Sequence, residues 1–100
     1  MQLDRKHHHA VAAILARRVA GFEVRAFGSR VEGDAHPASD LDLVVMTREP
    51  LPAVVLGRLR GDFAESELPM RVDVSDWSRL PDYIRVAIEN RSEVIQAGDA

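Results

Sequence analysis

The stretch FGSRVEGDAHPASDLDLVV, residues 27–45, places two short motifs at a fixed distance from each other. Gly28 and Ser29 directly follow an apolar run, and ten residues separate them from Asp40, which is followed at the second position by Asp42. The segment that begins at Asp40 alternates between leucine or valine and other residues, the pattern of a half-buried strand. The sequence therefore predicts a core strand that carries a pair of carboxylates.

The two carboxylates lie on one face of the predicted strand. Residues i and i+2 of a strand point to the same side, so Asp40 and Asp42 project next to each other. Two like charges at that distance repel, and one pKa rises unless something neutralises the pair. A hard cation such as Mg²⁺ removes the conflict, and it usually binds one or two carboxylates together with substrate phosphates. The pair therefore indicates a divalent metal site.

A third acid is found in the later segment MRVDV, residues 70–74, where Asp73 stands between two valines. If this strand is the neighbour of the strand that starts at Asp40, Asp73 lies beside Asp40 and Asp42. Three carboxylates on one sheet surface hold two metal ions about 3.5–4 Å apart, the arrangement used for in-line phosphoryl displacement. Asp76, at the end of the same strand, is the alternative third acid.

The Gly-Ser turn supplies a phosphate site. Gly28 lets the backbone approach a phosphate closely, and N–H groups at the start of the following helical turn point toward the anion. Ser29 adds a hydroxyl donor. Each motif alone is an ordinary turn or loop, but Gly-Ser-x10-Asp-x-Asp is expected by chance on the order of once in a thousand chains of this length. Metal and phosphate sites together predict binding of a nucleoside triphosphate.

Length and composition limit the classes of protein to consider. One hundred residues without an internal repeat or a Gly/Ser linker predict one domain, residues 1–100. A formal net charge of −3 with no basic run argues against an electrostatic nucleic-acid binder. The absence of cysteine excludes disulfides and thiolate metal sites. No apolar run reaches the roughly 18 residues of a membrane span and no signal peptide opens the chain, so we expect a soluble, cytoplasmic protein.

Periodicity predicts an α/β fold in which a small mixed sheet of three core strands is flanked by helices. The predicted helices are residues 3–18, a short turn at 29–33, a helix introduced by Pro50 and Pro52, and residues 81–91. The predicted strands are residues 22–27, 40–47 and 70–75, with a short edge strand at 94–95. Phe22 is expected on the apolar side of the first strand, and Tyr83 on the apolar stripe of the last helix.

These motifs resemble the polymerase-beta-type nucleotidyltransferase superfamily. Its minimal nucleotidyltransferase branch, related to the kanamycin nucleotidyltransferase catalytic domain, has a similar length, and the segment LPMRVDVSDW resembles its third strand. The resemblance covers nearly the whole chain and implies the polymerase-beta-like fold. It also implies that Asp40 and Asp42 hold Mg²⁺, with two ions expected and Mn²⁺ as a substitute, while Asp73 completes the site and helps to activate the attacking hydroxyl.

The same resemblance assigns the phosphate contacts and the reaction. Gly28 and Ser29 would bind the triphosphate of ATP or another nucleotide, with Arg30 and Ser39 as flanking phosphate contacts. The implied reaction is Mg²⁺-dependent transfer of a nucleoside monophosphate, AMP from ATP in the first instance, to an acceptor hydroxyl. Pyrophosphate is the second product.

The resemblance implies a separate helical partner in one of two settings. In one, the chain is a type VII antitoxin that adenylylates a tyrosine of a HEPN-class toxin; in the other, a separate helical subunit supplies the acceptor pocket of a two-component transferase. The competing class is a non-catalytic binding module that neutralises its partner by covering it. The sequence selects neither the acceptor nor the base, and it leaves homo-oligomerisation open.

Overall fold

The computed structural model describes residues 3–33, 36 and 39–99. The helices are α1 (Arg5–Arg18), α2 (Ser29–Glu32), α3 (Ala53–Ala64) and α4 (Asp82–Asn90). The strands are β1 (Val24–Phe27), β2 (Leu41–Val45), β3 (Val72–Asp76) and β4 (Glu93–Gln96). One turn of 3-10 helix, Trp77–Arg79, joins β3 to α4. The predicted order of helices and strands is confirmed, and the proposed edge strand is β4.

The four strands form one mixed sheet in the order β3-β2-β1-β4. Strand β2 pairs with β1 in antiparallel and with β3 in parallel orientation, and β4 pairs antiparallel with β1. The sheet thus consists of the three predicted core strands and, at one edge, the predicted edge strand β4. Because of these directions, the end of β1 and the starts of β2 and β3 meet at the same end of the sheet.

The main hydrophobic core covers one face of the sheet. Leu41, Leu43 and Val45 of β2 point into it and are fully buried. The helices α1 and α3 cover this face, and their buried side chains are Val11, Ile14, Leu15, Leu56, Leu59 and Phe63. Each fully buried leucine or valine contributes about 1.5–3 kcal/mol to folding. Core burial therefore fixes the register of β2, and with it the side to which the intervening residues point.

An ion-pair cluster joins α1 to α3 at the rim of this core. Arg18 Nε and Arg17 Nη2 lie 2.6 and 2.9 Å from Asp62 Oδ2. These hydrogen bonds, from Arg18 first and then Arg17, lower the pKa of Asp62 to about 2. The cluster therefore fixes how the two helices pack without entering the core.

The second face of the sheet carries Asp42 and Val44 of β2. Val44 is fully buried there, as is Ile88 of α4, although neither belongs to the main core. The helix α4 follows β3, and its last turn lies near α2, where Arg91 Nη2 donates to the Val31 carbonyl at 3.4 Å. Val44 and Ile88 are thus buried outside the main core, Val44 on the second face of the sheet and Ile88 in α4.

Two predictions about aromatic residues are wrong. Tyr83 is 76% exposed, because it lies about 140° around α4 from the buried Ile88 and so faces outward. Phe22 is 37% exposed, because β1 begins only at Val24 and Phe22 belongs to the preceding bend. In the part of the chain that the structure describes, no helix is long and apolar enough to cross a membrane.

Candidate active site

The three predicted carboxylates lie on the second face of the sheet, at the end where β2 and β3 begin. Asp42 stands directly opposite Asp73 in the parallel ladder, so the condition that the two strands be neighbours is met. Asp40 precedes β2 on the same side as Asp42. Asp40 and Asp73 are exposed and Asp42 is partly buried. The sheet register therefore brings together the acids that the sequence selected.

The carboxylate of Asp42 lies in an electrostatically unfavourable position. Burial raises its pKa above the ordinary value, and the negative charges of Asp73 and then Asp40 raise it further. Ionisation of Asp42 is therefore opposed both by the loss of hydration and by repulsion from the neighbouring carboxylates. A cation placed between Asp42 and Asp73 would relieve both effects, which is the electrostatic pattern expected of a ligand for a divalent metal.

The carboxylates fit a cation that is shared with a substrate. Among the described residues, no group of three or more acidic or histidine side chains stands ready to hold a metal ion. Asp73 stands opposite Asp42 in the ladder and Asp40 lies two residues before it, about 6.6 Å along an extended strand, so Asp42 is next to both of the other acids. Mg²⁺ commonly takes one or two carboxylates and completes its shell with phosphate oxygens and water. This donor set therefore suits a nucleotide-bound cation better than a protein-only site.

Gly28 brings the Gly-Ser turn against the carboxylates. It caps the N-terminus of α2 with φ +81° and ψ −157°, and its carbonyl accepts hydrogen bonds from Val31 N and Glu32 N, both at 3.0 Å. A Cβ atom at this position would overlap the Oδ2 atom of Asp42. The backbone of the turn and the carboxylate are thus in direct contact, and the two motifs converge as the sequence predicted.

Arg30 and Ser39, the flanking residues of the predicted phosphate site, contact each other. Arg30 is only 7% exposed, and its Nε and Nη2 donate to the Ser39 carbonyl oxygen at 3.2 and 2.9 Å. The Ser39 Oγ accepts a hydrogen bond from His36 N at 3.0 Å. The structure thus places both residues beside Asp40, while their contact with phosphate stays a prediction.

Asp76 lies on the other side of β3 from Asp73. It is 3% exposed, and its carboxylate accepts hydrogen bonds from the Thr47 hydroxyl, from Leu51 N at 2.7 Å, and from Ser78 N and Oγ at 3.0 and 2.7 Å. These bonds tie the end of β3 to the loop between β2 and α3. Asp76 is therefore a structural carboxylate, and the alternative that made it the third acid of the site is wrong.

A broad open groove of about 870 Å³ lies at the far end of the sheet from the carboxylates. It is lined by residues 21–23, 46, 48–52 and 98–99 and contains none of the predicted site residues. We therefore place the chemistry at the carboxylates rather than in this groove, since the raised pKa of Asp42 and its contact with the Gly-Ser turn are found there. The site itself is an exposed sheet face.

The sequence and the fold assign the protein to a class. A nucleotidyltransferase domain family matches residues 10–95, and the chain belongs to that family. The probable protein adenylyltransferase MntA of Haemophilus influenzae is 43% identical over 97 residues, covering 95% of this chain and 85% of the relative. The predicted resemblance to minimal nucleotidyltransferases, and the predicted class of enzyme, are confirmed.

Solved structures share the fold. A crystal structure of a toxin–antitoxin with AMP-PNP has a TM-score of 0.75 at 20% identity and covers 92% of this chain and 73% of its own. A complex of a tri-AMPylated HEPN toxin from Shewanella oneidensis with an MNT antitoxin has a TM-score of 0.70 at 18% identity, with coverage of 99% and 74%. The predicted polymerase-beta-like nucleotidyltransferase fold is therefore confirmed.

Proposed function

We propose that this chain transfers AMP from ATP to a tyrosine hydroxyl of a helical HEPN-type partner, and so acts as the antitoxin of a toxin–antitoxin pair. The proposal is carried by one observation: Asp42 stands beside Asp73 and against Gly28, so the carboxylates and the phosphate turn meet. A relative named as a protein adenylyltransferase supports the donor and the acceptor class. The AMPylated HEPN toxin in complex with an MNT antitoxin supports the setting.

Each residue of the site has a defined role in this reaction. The Gly28 backbone and the Ser29 hydroxyl would bind the triphosphate, while Asp40 and Asp42, with Asp73 beside them, would hold Mg²⁺, with two ions expected and Mn²⁺ as a substitute. When bound, the metal ions neutralise phosphate charge and stabilise the leaving oxygen. Asp73 accepts the proton of the attacking hydroxyl. The tyrosine oxygen forms a bond to the α-phosphorus as the bond from that phosphorus to pyrophosphate breaks.

The exposure of the site supports the need for a partner. Asp40 and Asp73 are exposed, and a sheet face gives an acceptor little to hold it. Alignment of two reactants can supply about 7–11 kcal/mol of the barrier reduction. A partner that docks on this face would supply that alignment by presenting its own hydroxyl. A cytoplasmic location, where ATP and the toxin are both found, belongs to the same proposal.

The test measures incorporation of labelled AMP from ATP, with and without the product of the adjacent gene, which we expect to be a helical protein. We expect label on a tyrosine of that protein only when Mg²⁺ and both proteins are present. Asp42→Asn should abolish labelling while the two proteins still co-elute. Neutralisation of the partner by Asp42→Asn to the wild-type extent would instead establish the non-catalytic binding module. Comparable turnover by the isolated chain on a small acceptor would contradict the need for a partner.

A further inference from the structure

Arg30 connects the two halves of the site. It follows Ser29 of the phosphate turn directly, and its guanidinium reaches nine residues along the chain to the carbonyl of Ser39, the residue before Asp40. The Nε and Nη2 atoms both donate to the same oxygen, at 3.2 and 2.9 Å. One side chain therefore links the backbone of the phosphate turn to the backbone that carries the first carboxylate.

The burial of Arg30 shows that this contact is a built feature of the fold. A guanidinium leaves water only where hydrogen bonds replace its hydration, and Arg30 is 7% exposed. Hydrogen bonds with one ionised partner are shorter and stronger than neutral ones. Two further bonds hold Ser39 to His36, from Ser39 N to the His36 carbonyl at 2.8 Å and from His36 N to Ser39 Oγ at 3.0 Å.

We propose that Arg30 is a positioning residue for cation binding: by fixing the Ser39 carbonyl it sets the backbone from which Asp40 projects toward Asp42. The inference rests on the proposed function, because it assigns the cation to those carboxylates. It differs from the phosphate contact predicted from the sequence, since a side chain this deeply buried acts on the protein's own backbone. Residues that orient metal ligands typically change metal affinity by 10–100-fold when they are replaced.

The informative substitution is Arg30→Lys, which keeps the positive charge but cannot place two donors on one carbonyl in the same fixed geometry. The matched control is Arg85→Lys. Arg85 also donates two hydrogen bonds to backbone carbonyls, those of Trp77 and Ser78, both at 3.1 Å. These carbonyls lie beyond the far end of β3, away from the carboxylates. The control therefore reports the effect of losing an equivalent arginine contact elsewhere.

The first measurement is amide hydrogen exchange by NMR in metal-free buffer. It compares the Ser39 N–H, bonded to the His36 carbonyl, and the Leu41 N–H, bonded to the Arg71 carbonyl at 2.9 Å. We expect Arg30→Lys to speed exchange at these amides on the order of tenfold through local opening, and Arg85→Lys to leave them unchanged. Unchanged exchange in Arg30→Lys would overturn the inference whether or not the chain transfers nucleotides.

The second measurement is affinity for Mn²⁺, followed by electron paramagnetic resonance with and without a non-hydrolysable ATP analogue. We expect Arg30→Lys to weaken Mn²⁺ binding at least tenfold, while binding of the analogue in excess EDTA stays at the wild-type level. An equal loss of analogue binding in EDTA would make Arg30 a phosphate ligand and overturn the inference. Wild-type protein that bound no Mn²⁺ would refute the proposed metal site itself, a result that the exchange data distinguish from failure of the Arg30 contact.

Discussion

The carboxylate of Asp42 occupies the space into which a side chain at residue 28 would project. This contact follows from the antiparallel pairing of β1 with β2, which sets Phe27 opposite Asp42 and leaves Gly28 beside it. The ten residues between the two motifs are the length of chain that leaves β1, forms α2 and returns to start β2. The ten-residue spacing in the sequence is thus the length of chain that brings the phosphate turn to the carboxylate.

Gly28→Ala is expected to damage both stability and nucleotide binding. The backbone at Gly28 has φ +81° and ψ −157°, a conformation that residues with a Cβ rarely adopt, and the new methyl group would also overlap Asp42. We expect a loss of about 3 kcal/mol in the free energy of unfolding, measured by urea denaturation. Binding of ATP in the presence of Mg²⁺ should fall at the same time.

Gly33→Ala is the matched control for that substitution. Gly33 also has a positive φ, +90°, but among the described residues other than its chain neighbours no atom lies within 4 Å of the position that a Cβ would take. It should therefore lose only about 1 kcal/mol from its left-handed backbone and keep its affinity for ATP. If Gly33→Ala and Gly28→Ala weakened ATP binding equally, the contact between Gly28 and Asp42 would not be the cause.

Asp42→Asn is expected to stabilise the metal-free protein while it abolishes AMP transfer. The substitution removes a charge that burial and the neighbouring Asp73 and Asp40 all disfavour. Because the side chain is partly solvated, the gain in unfolding free energy should be below about 1 kcal/mol. Glu49→Gln, an exposed site at the far end of the sheet, controls for the loss of one negative charge. A marked drop in metal-free stability would show that Asp42 is structural.

The pH dependence of that stability difference follows from the direction of the shift. The folded-state pKa of Asp42 is raised above its ordinary value of 3.8, so the native protein holds this proton more tightly than the unfolded chain does. The destabilisation caused by the ionised Asp42 is therefore fully present above the raised pKa, and it disappears as the pH falls to the ordinary pKa of 3.8. The advantage of Asp42→Asn, measured by urea denaturation, should be largest near pH 7 and vanish near pH 4.

The predictable part of this site was the part encoded by local periodicity. The alternation around Asp40 and Asp42 fixed which side of β2 they occupy, and valines on both sides of Asp73 did the same for β3. That β2 and β3 are parallel neighbours depends on how helix α3 packs between them along the chain. From the sequence alone, Asp73 could join the site only on the condition that the two strands are neighbours. The pairing of Asp42 with Asp73 in the sheet meets that condition.

Contacts that depend on tertiary geometry were not predictable. The network at Asp76 draws donors from Thr47 and Leu51 in the loop between β2 and α3 and from Ser78 after β3, and these residues share no motif. The bond from Arg30 to the Ser39 backbone depends on how the loop folds back, which periodicity does not describe. The wrong prediction for Tyr83 has a different origin. The apolar stripe assigned to this short helix was too wide, so it included a residue of the exposed side.

Ser29→Ala tests the phosphate turn. If the Ser29 hydroxyl donates to a distal phosphate, its loss removes a hydrogen bond to a charged group, worth about 1.5–3 kcal/mol. ATP affinity, measured by calorimetry with Mg²⁺, should fall roughly tenfold to a hundredfold, while AMP affinity should change little. Ser66→Ala removes a hydroxyl that donates to the Phe63 carbonyl at 2.7 Å and should change neither affinity. Equal losses for ATP and AMP would exclude the distal-phosphate role of Ser29.

Asp76→Ala is expected to be severely destabilising without a direct effect on catalysis. Burial by itself would raise the pKa of Asp76, but the hydrogen bonds from Thr47, Ser78 and Leu51 outweigh it and lower the pKa. Removing the carboxylate strands these donors, and a buried donor without a partner costs about 1–3 kcal/mol. We expect a loss of about 3 kcal/mol in urea denaturation, with Thr47→Val losing less because only one of the donors is removed.

The sign of the pH effect separates Asp76 from Asp42. Since the folded-state pKa of Asp76 is lowered, its contribution to stability is present above the ordinary carboxyl value of 3.8 and is lost as the pH falls below it. The deficit of Asp76→Ala relative to wild type should therefore shrink in acid, as the wild type loses the same interaction. At a temperature where the variant remains folded, its partner-dependent AMP transfer should stay near the wild-type rate. Loss of transfer by folded Asp76→Ala would instead return Asp76 to the active site, despite its position on the opposite side of β3.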